Sequence, residues 1–146
     1  MILHSKDFNL PTWASIHKST PSLNGNLYLI KEEEEIVGYA IVTEYDQFCQ
    51  LEFLEVERES RNLGHGTRLL QYIISHYENI IVIPIYVAYP FYIRNGFQLL
   101  NKDSEQVKFI FTRDDLDSAR KRLNLEHGMT PEEYSNYIYF KLTCLN

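Results

Sequence analysis

Arg61-Asn62-Leu63-Gly64-His65-Gly66-Thr67-Arg68 is the stretch on which the reading of this 146-residue chain turns. Before it comes Phe48–Val56, a strand-like run, and after it Leu69, Leu70, Ile73, Ile74 and Tyr77 recur at helical spacing. The predicted order is strand, glycine-bearing turn, helix start. Glycine allows a tight turn and lets a ligand approach with no Cβ in the way. The first N–H groups of a helix have no intrahelical partner, and the positive end of the helix dipole lies behind them. Together these features predict a site for a phosphorylated ligand. The competing reading is a turn that only connects strand to helix.

The glycine pattern narrows the ligand. Gly64-His65-Gly66-Thr67-Arg68-Leu69 lacks the third glycine of a dinucleotide fingerprint and the Gly-Lys-Ser/Thr of a nucleotide-hydrolase phosphate loop. The segment resembles instead the Arg/Gln-x-x-Gly-x-Gly/Ala motif of the GCN5-related N-acetyltransferase (GNAT) family. Leu54-x-Val56 ends the preceding strand five residues before Arg61, as that motif asks. Further on, Phe91-Tyr92-Ile93-Arg94-Asn95-Gly96-Phe97 is similar to the family's Phe-Tyr-x-x-x-Gly-Phe ending. The resemblance covers about residues 26–112. It implies an α/β (α+β) fold with a mixed, mostly antiparallel central sheet flanked by helices, and acetyl-coenzyme A as co-substrate.

The resemblance also implies roles. Arg61, Asn62, Leu63, Gly64, His65, Gly66 and Thr67 would hold the pyrophosphate, mostly through backbone N–H groups, with Arg61 and Arg68 adding charge. The backbone of Leu54, Glu55 and Val56 would pair with the pantetheine arm, and the Val56 N–H would polarise the thioester carbonyl. Tyr92 matches the tyrosine that protonates the coenzyme A thiolate in many members; the alternative is one more aromatic packed between helix and sheet. A phenol near ~10 can serve a thiol near ~8.5 only where the site aligns them and lowers the phenol's pKa. Glu52, four residues before Val56, would share its face in a regular strand and is the candidate general base, against an exposed strand glutamate with no role. Gln50, two residues earlier, cannot serve, and Glu55 would face the other way unless a bulge intervenes. The backbone of His65 is expected to matter more than its ring. Two positions depart from the family pattern: Arg58 stands where proline is common, and Ile85 where a polar residue often opens the second-motif helix.

Composition excludes other classes. A formal charge of −6 argues against a nucleic-acid partner. No apolar run approaches a membrane span, and the N-terminus lacks a signal-peptide pattern, so cytoplasmic residence is the expectation. Cys49 and Cys144 have no metal-ligand spacing and read as reduced thiols; the five histidines likewise suggest no metal site.

Along the chain, Met1–His4 reads as an edge strand and Lys6–His17 as irregular to helical. Asn26–Lys31 and Ile36–Tyr45 read as strands joined at Glu32–Glu35, a solvated hairpin turn. Asn79–Ile83 has the β-branched composition of a strand buried on both faces. A short helix then runs to Asn95, with Gly96 stopping it and Pro90 tolerable only in its first turn. Phe97–Leu100 and Val107–Thr112 form a closing hairpin. Asp114–His127 and a segment from the Thr130-Pro131-Glu132-Glu133 capping box read as helices, with helix and strand competing beyond Tyr137.

The whole, 1–146, reads as one acetyltransferase domain with 113–146 as a C-terminal helical extension, whose part is lid, homodimer contact or ordinary packing. The expected reaction is acetyl transfer to an unidentified primary amine by direct attack in a ternary complex. No serine or cysteine stands beside a base to form an acyl-enzyme. The rivals are a non-catalytic coenzyme A-binding module, an enzyme for alcohols or longer acyl chains, and an interaction protein built on 113–146.

Overall fold

The computed structural model describes residues 1–5, 9–15, 25–103, 106–123 and 139. They belong to two compact units, Met1–Tyr77 and Glu78–Asn146.

In the first unit four strands pair antiparallel in chain order: β1 (Ile2–Ser5), β2 (Asn26–Glu32), β3 (Glu35–Glu44) and β4 (Cys49–Val56). The hairpin expected at the glutamate run is there. Glu33 and Glu34 both take positive φ, 49° and 74°, the conformation whose twist suits a two-residue connection.

Alternation divides the sheet into two faces. One carries Leu27, Leu29, Tyr39 and Ile41, which cluster with Ala14, while Leu10 and Trp13 pack alongside. The other carries Tyr28, Ile30, Ala40 and Val42, all buried. There α1 (His65–Ile74) packs, with Tyr72 edge-on to Tyr28 at 5.9 Å between ring centroids. The face α1 buries is Leu69, Leu70, Ile73 and Ile74, the spacing of one helical stripe. At about 2 kcal/mol for each side chain removed from water, that stripe is what fixes the helix, and hence its N-terminus, against the sheet. The β3–β4 register slips in one place: Ile41 faces Phe53 and Val42 faces Leu51, so Glu52 has no cross-strand partner. This is a β-bulge, one extra residue in β4.

In the second unit β5 (Asn79–Val82) pairs with β7 (Gln106–Thr112), and β6 (Gln98–Asp103) with the far side of β7, all antiparallel. Ile80, Ile81 and Val82 are all buried, as the lack of alternation predicts. A 3-10 turn, Tyr86–Ala88, leads into α2 (Tyr89–Arg94), and Pro90 lies in its first turn, where no N–H is needed. Gly96 ends α2 at φ 89°. The N–H of Phe97 reaches the Tyr92 carbonyl at 3.0 Å and that of Gly96 the Ile93 carbonyl at 3.1 Å, closing the helix end. The N–H of Ser118 donates to the Asp115 carboxylate at 3.1 Å, a cap that starts α3 (Leu116–Leu123). Arg120 on α3 donates to the carbonyls of Leu100 at 2.7 Å and Leu99 at 3.1 Å.

The architecture is α/β, with antiparallel strands and packed helices in both units, as the sequence predicts. The rest of the helix expected over Asp114–His127, the Thr130 capping box and, Tyr139 apart, the segment beyond Tyr137 lie outside the described residues, as do 6–8 and 16–17 of the stretch expected to be irregular to helical, whose described part, 9–15, is turn and irregular chain. Among the described residues no helix is long and apolar enough to cross a membrane.

Candidate active site

The turn between β4 and α1 is built by two residues in the left-handed region. Asn62 has φ 65° and Gly64 has φ 84°. Asparagine and glycine are the residues that tolerate this conformation. Gly64 is the N-cap of α1, so no side chain satisfies the first N–H groups of that helix. A Cβ built on Gly64 would meet nothing within 4 Å. The amides of His65, Gly66 and Thr67 therefore begin an uncapped helix beside open space, with the dipole behind them. An anion such as a diphosphate fits this arrangement.

Arg61 is turned back on the strand: its Nε donates to the Val56 carbonyl at 3.0 Å. The strand end has a defined polarity. The Glu57 N–H bonds to the Val37 carbonyl at 2.8 Å. In an antiparallel pair, backbone groups alternate in direction. Glu55 and Glu57 therefore face β3, and the N–H and C=O groups of Leu54 and Val56 point away from it.

Glu55 contributes its backbone to the strand, but its side chain has a separate job. Its carboxylate accepts the Ser15 N–H at 2.8 Å, the Ser15 hydroxyl, and the Tyr39 hydroxyl at 2.9 Å. Burial alone would raise this carboxyl. The Ser15 and Tyr39 hydrogen bonds and the Arg61 charge outweigh it and hold the group below the usual carboxylate range. Glu55 thus ties residues 13–15 to β4. A cleft of about 380 Å³ opens beside it, lined by Trp13, Ser15, Glu57, Arg58, Glu59 and Arg61 as well.

Glu52 is half-buried in β4. The bulge removes the regular alternation by which it would share a face with Val56, since the irregularity falls at Glu52 itself.

The ring of His65, expected to be incidental, is only 5% exposed. Arg68 donates to its Nδ1 and also to Glu32 Oε1, the latter at 2.9 Å. Glu32 is therefore more than part of a solvated turn: it holds the cation one helical turn into α1. Sequence reasoning missed this triad because Glu32 and Arg68 are far apart along the chain.

In the second unit Tyr92 is 7% exposed, and its ring stacks edge-on with Phe91 and Phe97 at 5.1 and 5.3 Å. Burial pushes its phenol up to about 12, opposite to the lowering that protonating a thiolate would favour. Ile85 is 72% exposed. Cys49 is buried, and burial with the nearby Glu44 charge pushes its thiol up to about 12. It is no nucleophile near neutral pH. Cys144 lies outside the described residues. Among the described residues, no group of three or more acidic, histidine or cysteine side chains comes together to hold a metal.

A strand, an uncapped glycine turn and a helix start in this order make a candidate site for an anionic ligand. The family described as "Acetyltransferase (GNAT) domain" matches residues 24–99, just over half the chain, and this protein belongs to that family. Solved structures agree in fold. A GNAT family acetyltransferase from Elizabethkingia anophelis, with acetyl-CoA bound, is 16% identical at TM-score 0.62, over 77% of this chain and 97% of that one. The Bacillus subtilis N-acetyltransferase YlbP, in complex with coenzyme A, is 18% identical at TM-score 0.56, over 60% of this chain and 68% of that one. The PaiA N-acetyltransferase of Thermoplasma acidophilum, also in complex with coenzyme A, is 15% identical at TM-score 0.53. That match covers 59% of each chain, so this protein spans under two thirds of the Thermoplasma relative. No curated protein matches the sequence.

Proposed function

We propose that this protein moves the acetyl group of acetyl-coenzyme A to a primary amine, by direct attack in a ternary complex. The observation that carries the reading is the uncapped start of α1 after Asn62 and Gly64, directly downstream of a strand whose Leu54 and Val56 amides point away from β3. The residues present suit the coenzyme. The amides of His65 to Thr67 would hold its diphosphate, and Leu54 to Val56 would hold its pantetheine arm. When bound, it supplies an acetyl group activated as a thioester. The chain supplies the rest. The Val56 N–H offers a fixed donor to a carbonyl oxygen, and Glu52 takes the proton of the attacking amine. Tyr92, whose phenol burial alone pushes up, keeps a proton to give to the departing sulfur.

The amine is supported by the cleft beside Glu55. Trp13 and the carboxylates of Glu55, Glu57 and Glu59 line it beside Arg58 and Arg61, which leaves one carboxylate in excess toward a protonated amine on approach. The absence of a usable thiolate at Cys49 supports direct transfer over an acyl-enzyme. Most of the acceleration then comes from holding amine and thioester together.

A second reading, a coenzyme A-binding module without turnover, is favoured by one observation. A phenol near 12 is a poor match for a thiol near ~8.5. The deciding experiment is thiol release from acetyl-coenzyme A against a panel of amines. Turnover with any primary amine supports the enzyme. Coenzyme binding by calorimetry with no turnover across the panel supports the module.

A further inference from the structure

Trp13, the only tryptophan of the chain, stands in the wall of the cleft of about 380 Å³ beside β4. Its place is fixed from two sides. Ala14, next along, is buried in the cluster with Leu27, Leu29, Tyr39 and Ile41, and the Trp13 ring lies 5.8 Å from that of Tyr39 at a tilt of 48°. One residue further, the Ser15 N–H donates to Glu55 Oε1 at 2.8 Å, and the Tyr39 hydroxyl donates to the same oxygen at 2.9 Å. A single carboxylate oxygen on β4 thus holds both the segment that carries Trp13 and the ring that Trp13 packs against.

The cleft adjoins the end of β4. Glu55 and Glu57, which flank Val56, both line it, and so does Arg61, whose Nε is on the Val56 carbonyl at 3.0 Å. Its volume suits a small molecule. Glu55 and Arg61 are engaged by the bonds just described, which leaves Glu57 and Glu59 against Arg58, an excess of one carboxylate. The lining therefore combines a large apolar side chain with a net negative charge. An ammonium on an apolar body matches both, whereas a wholly hydrophilic amine leaves the indole unused.

We propose, on the acetyltransferase reading above, that Trp13 selects the acceptor, favouring a small primary amine on an apolar or aromatic body, and that Glu55 is the positioning residue that sets Trp13 in place. Contact with Trp13 needs no coenzyme, so this selectivity is open to measurement by binding as well as by turnover.

The test compares phenethylamine with ethylamine, which share the ammonium and differ in the ring. Trp13 emission, excited where tyrosine does not absorb, reports binding without coenzyme. In the natural chain phenethylamine should change this emission saturably, at about tenfold lower concentration than ethylamine. Thiol release from acetyl-coenzyme A should show the same preference in kcat/KM. Trp13→Ala should lose most of that kinetic preference. So should Glu55→Ala, while Glu55→Gln keeps it, because its carbonyl oxygen can accept both the Ser15 N–H and the Tyr39 hydroxyl. The double alanine variant should lose no more than either single one, since both changes act through one contact. A purely structural defect would lower kcat/KM for the two amines together and leave their ratio intact. An equal response to the two amines in the natural chain, or a preference retained in Trp13→Ala, overturns the proposal. A preference retained in Glu55→Ala overturns the part given to Glu55. The emission of the natural chain decides alone if the variants do not fold. Selective binding with no turnover of any amine would overturn the acetyltransferase reading and leave the selectivity of the cleft standing; turnover without preference does the reverse.

Discussion

Arg61 and Val56 are joined by one hydrogen bond, Nε to carbonyl at 3.0 Å. The residue that opens the glycine turn thus clamps the strand end from which the turn departs. The bond fixes the carbonyl side of Val56, whose N–H is the candidate donor to substrate. Arg61→Ala should lower stability by about 1 kcal/mol and weaken coenzyme A binding more than tenfold, because a donor and the turn's geometry go together. Arg61→Lys should restore charge without the planar fork and recover only part of the affinity. Thermal melts alongside calorimetry read both effects.

Gly64→Ala separates backbone strain from ligand contact. With φ at 84°, alanine costs about 1–2 kcal/mol in the folded state, yet its Cβ meets no protein atom. The melting temperature should fall by several degrees, and coenzyme A affinity should fall further than that destabilisation accounts for. A variant that melts low but binds coenzyme A as the natural chain does would place the diphosphate elsewhere.

The Glu55 carboxyl is lowered in the folded state. A lowered carboxylate stabilises the fold above its unfolded value near ~4.3, and that contribution is lost as pH falls through the folded value. Denaturant unfolding between pH 7 and pH 3 should show stability dropping on the acid side, with a shallower drop in Glu55→Gln. Ser15→Ala removes one donor and should move the acid limb toward higher pH. Identical acid limbs in all three proteins would show that this carboxylate does not govern it.

Tyr92→Phe gives opposite signals in stability and rate. Removing a hydroxyl that makes no hydrogen bond among the described residues should leave the melting temperature nearly unchanged. If Tyr92 is the proton donor, kcat should fall by about 10²–10⁴-fold with KM for acetyl-coenzyme A nearly unchanged. Full activity in Tyr92→Phe would leave Tyr92 as packing between Phe91 and Phe97.

The features read correctly from sequence are those written in local chemistry. Gly64 and Gly96 sit where left-handed backbone is required, Pro90 sits where no N–H is needed, and Leu69 to Ile74 repeat at helical spacing. The glutamate turn declared itself by its place between two apolar runs. What stayed hidden depends on register and on partners distant along the chain. The bulge at Glu52 follows from how β4 lies on β3, and alternation within β4 cannot reveal it. Ser15 meets Glu55, and Arg68 meets Glu32, only after the sheet has formed. The burial of the His65 ring follows from the same assembly. The glycine turn and the helix start were therefore legible through the motif, while the electrostatic neighbours of their residues were not.

The grip of Arg120 on β6 changes how the C-terminal region can be studied. Its guanidinium reaches two consecutive carbonyls of a strand whose residues Leu99 and Leu100 are almost wholly enclosed. Cutting the chain after Thr112 would remove the Arg120 bonds to those carbonyls and loosen the hairpin that carries them. A shortened protein that fails in an assay would thus report a damaged second unit as readily as a missing lid or dimer contact. Point changes on exposed positions of α3, leaving Arg120 in place, are the cleaner way to ask what the tail contributes.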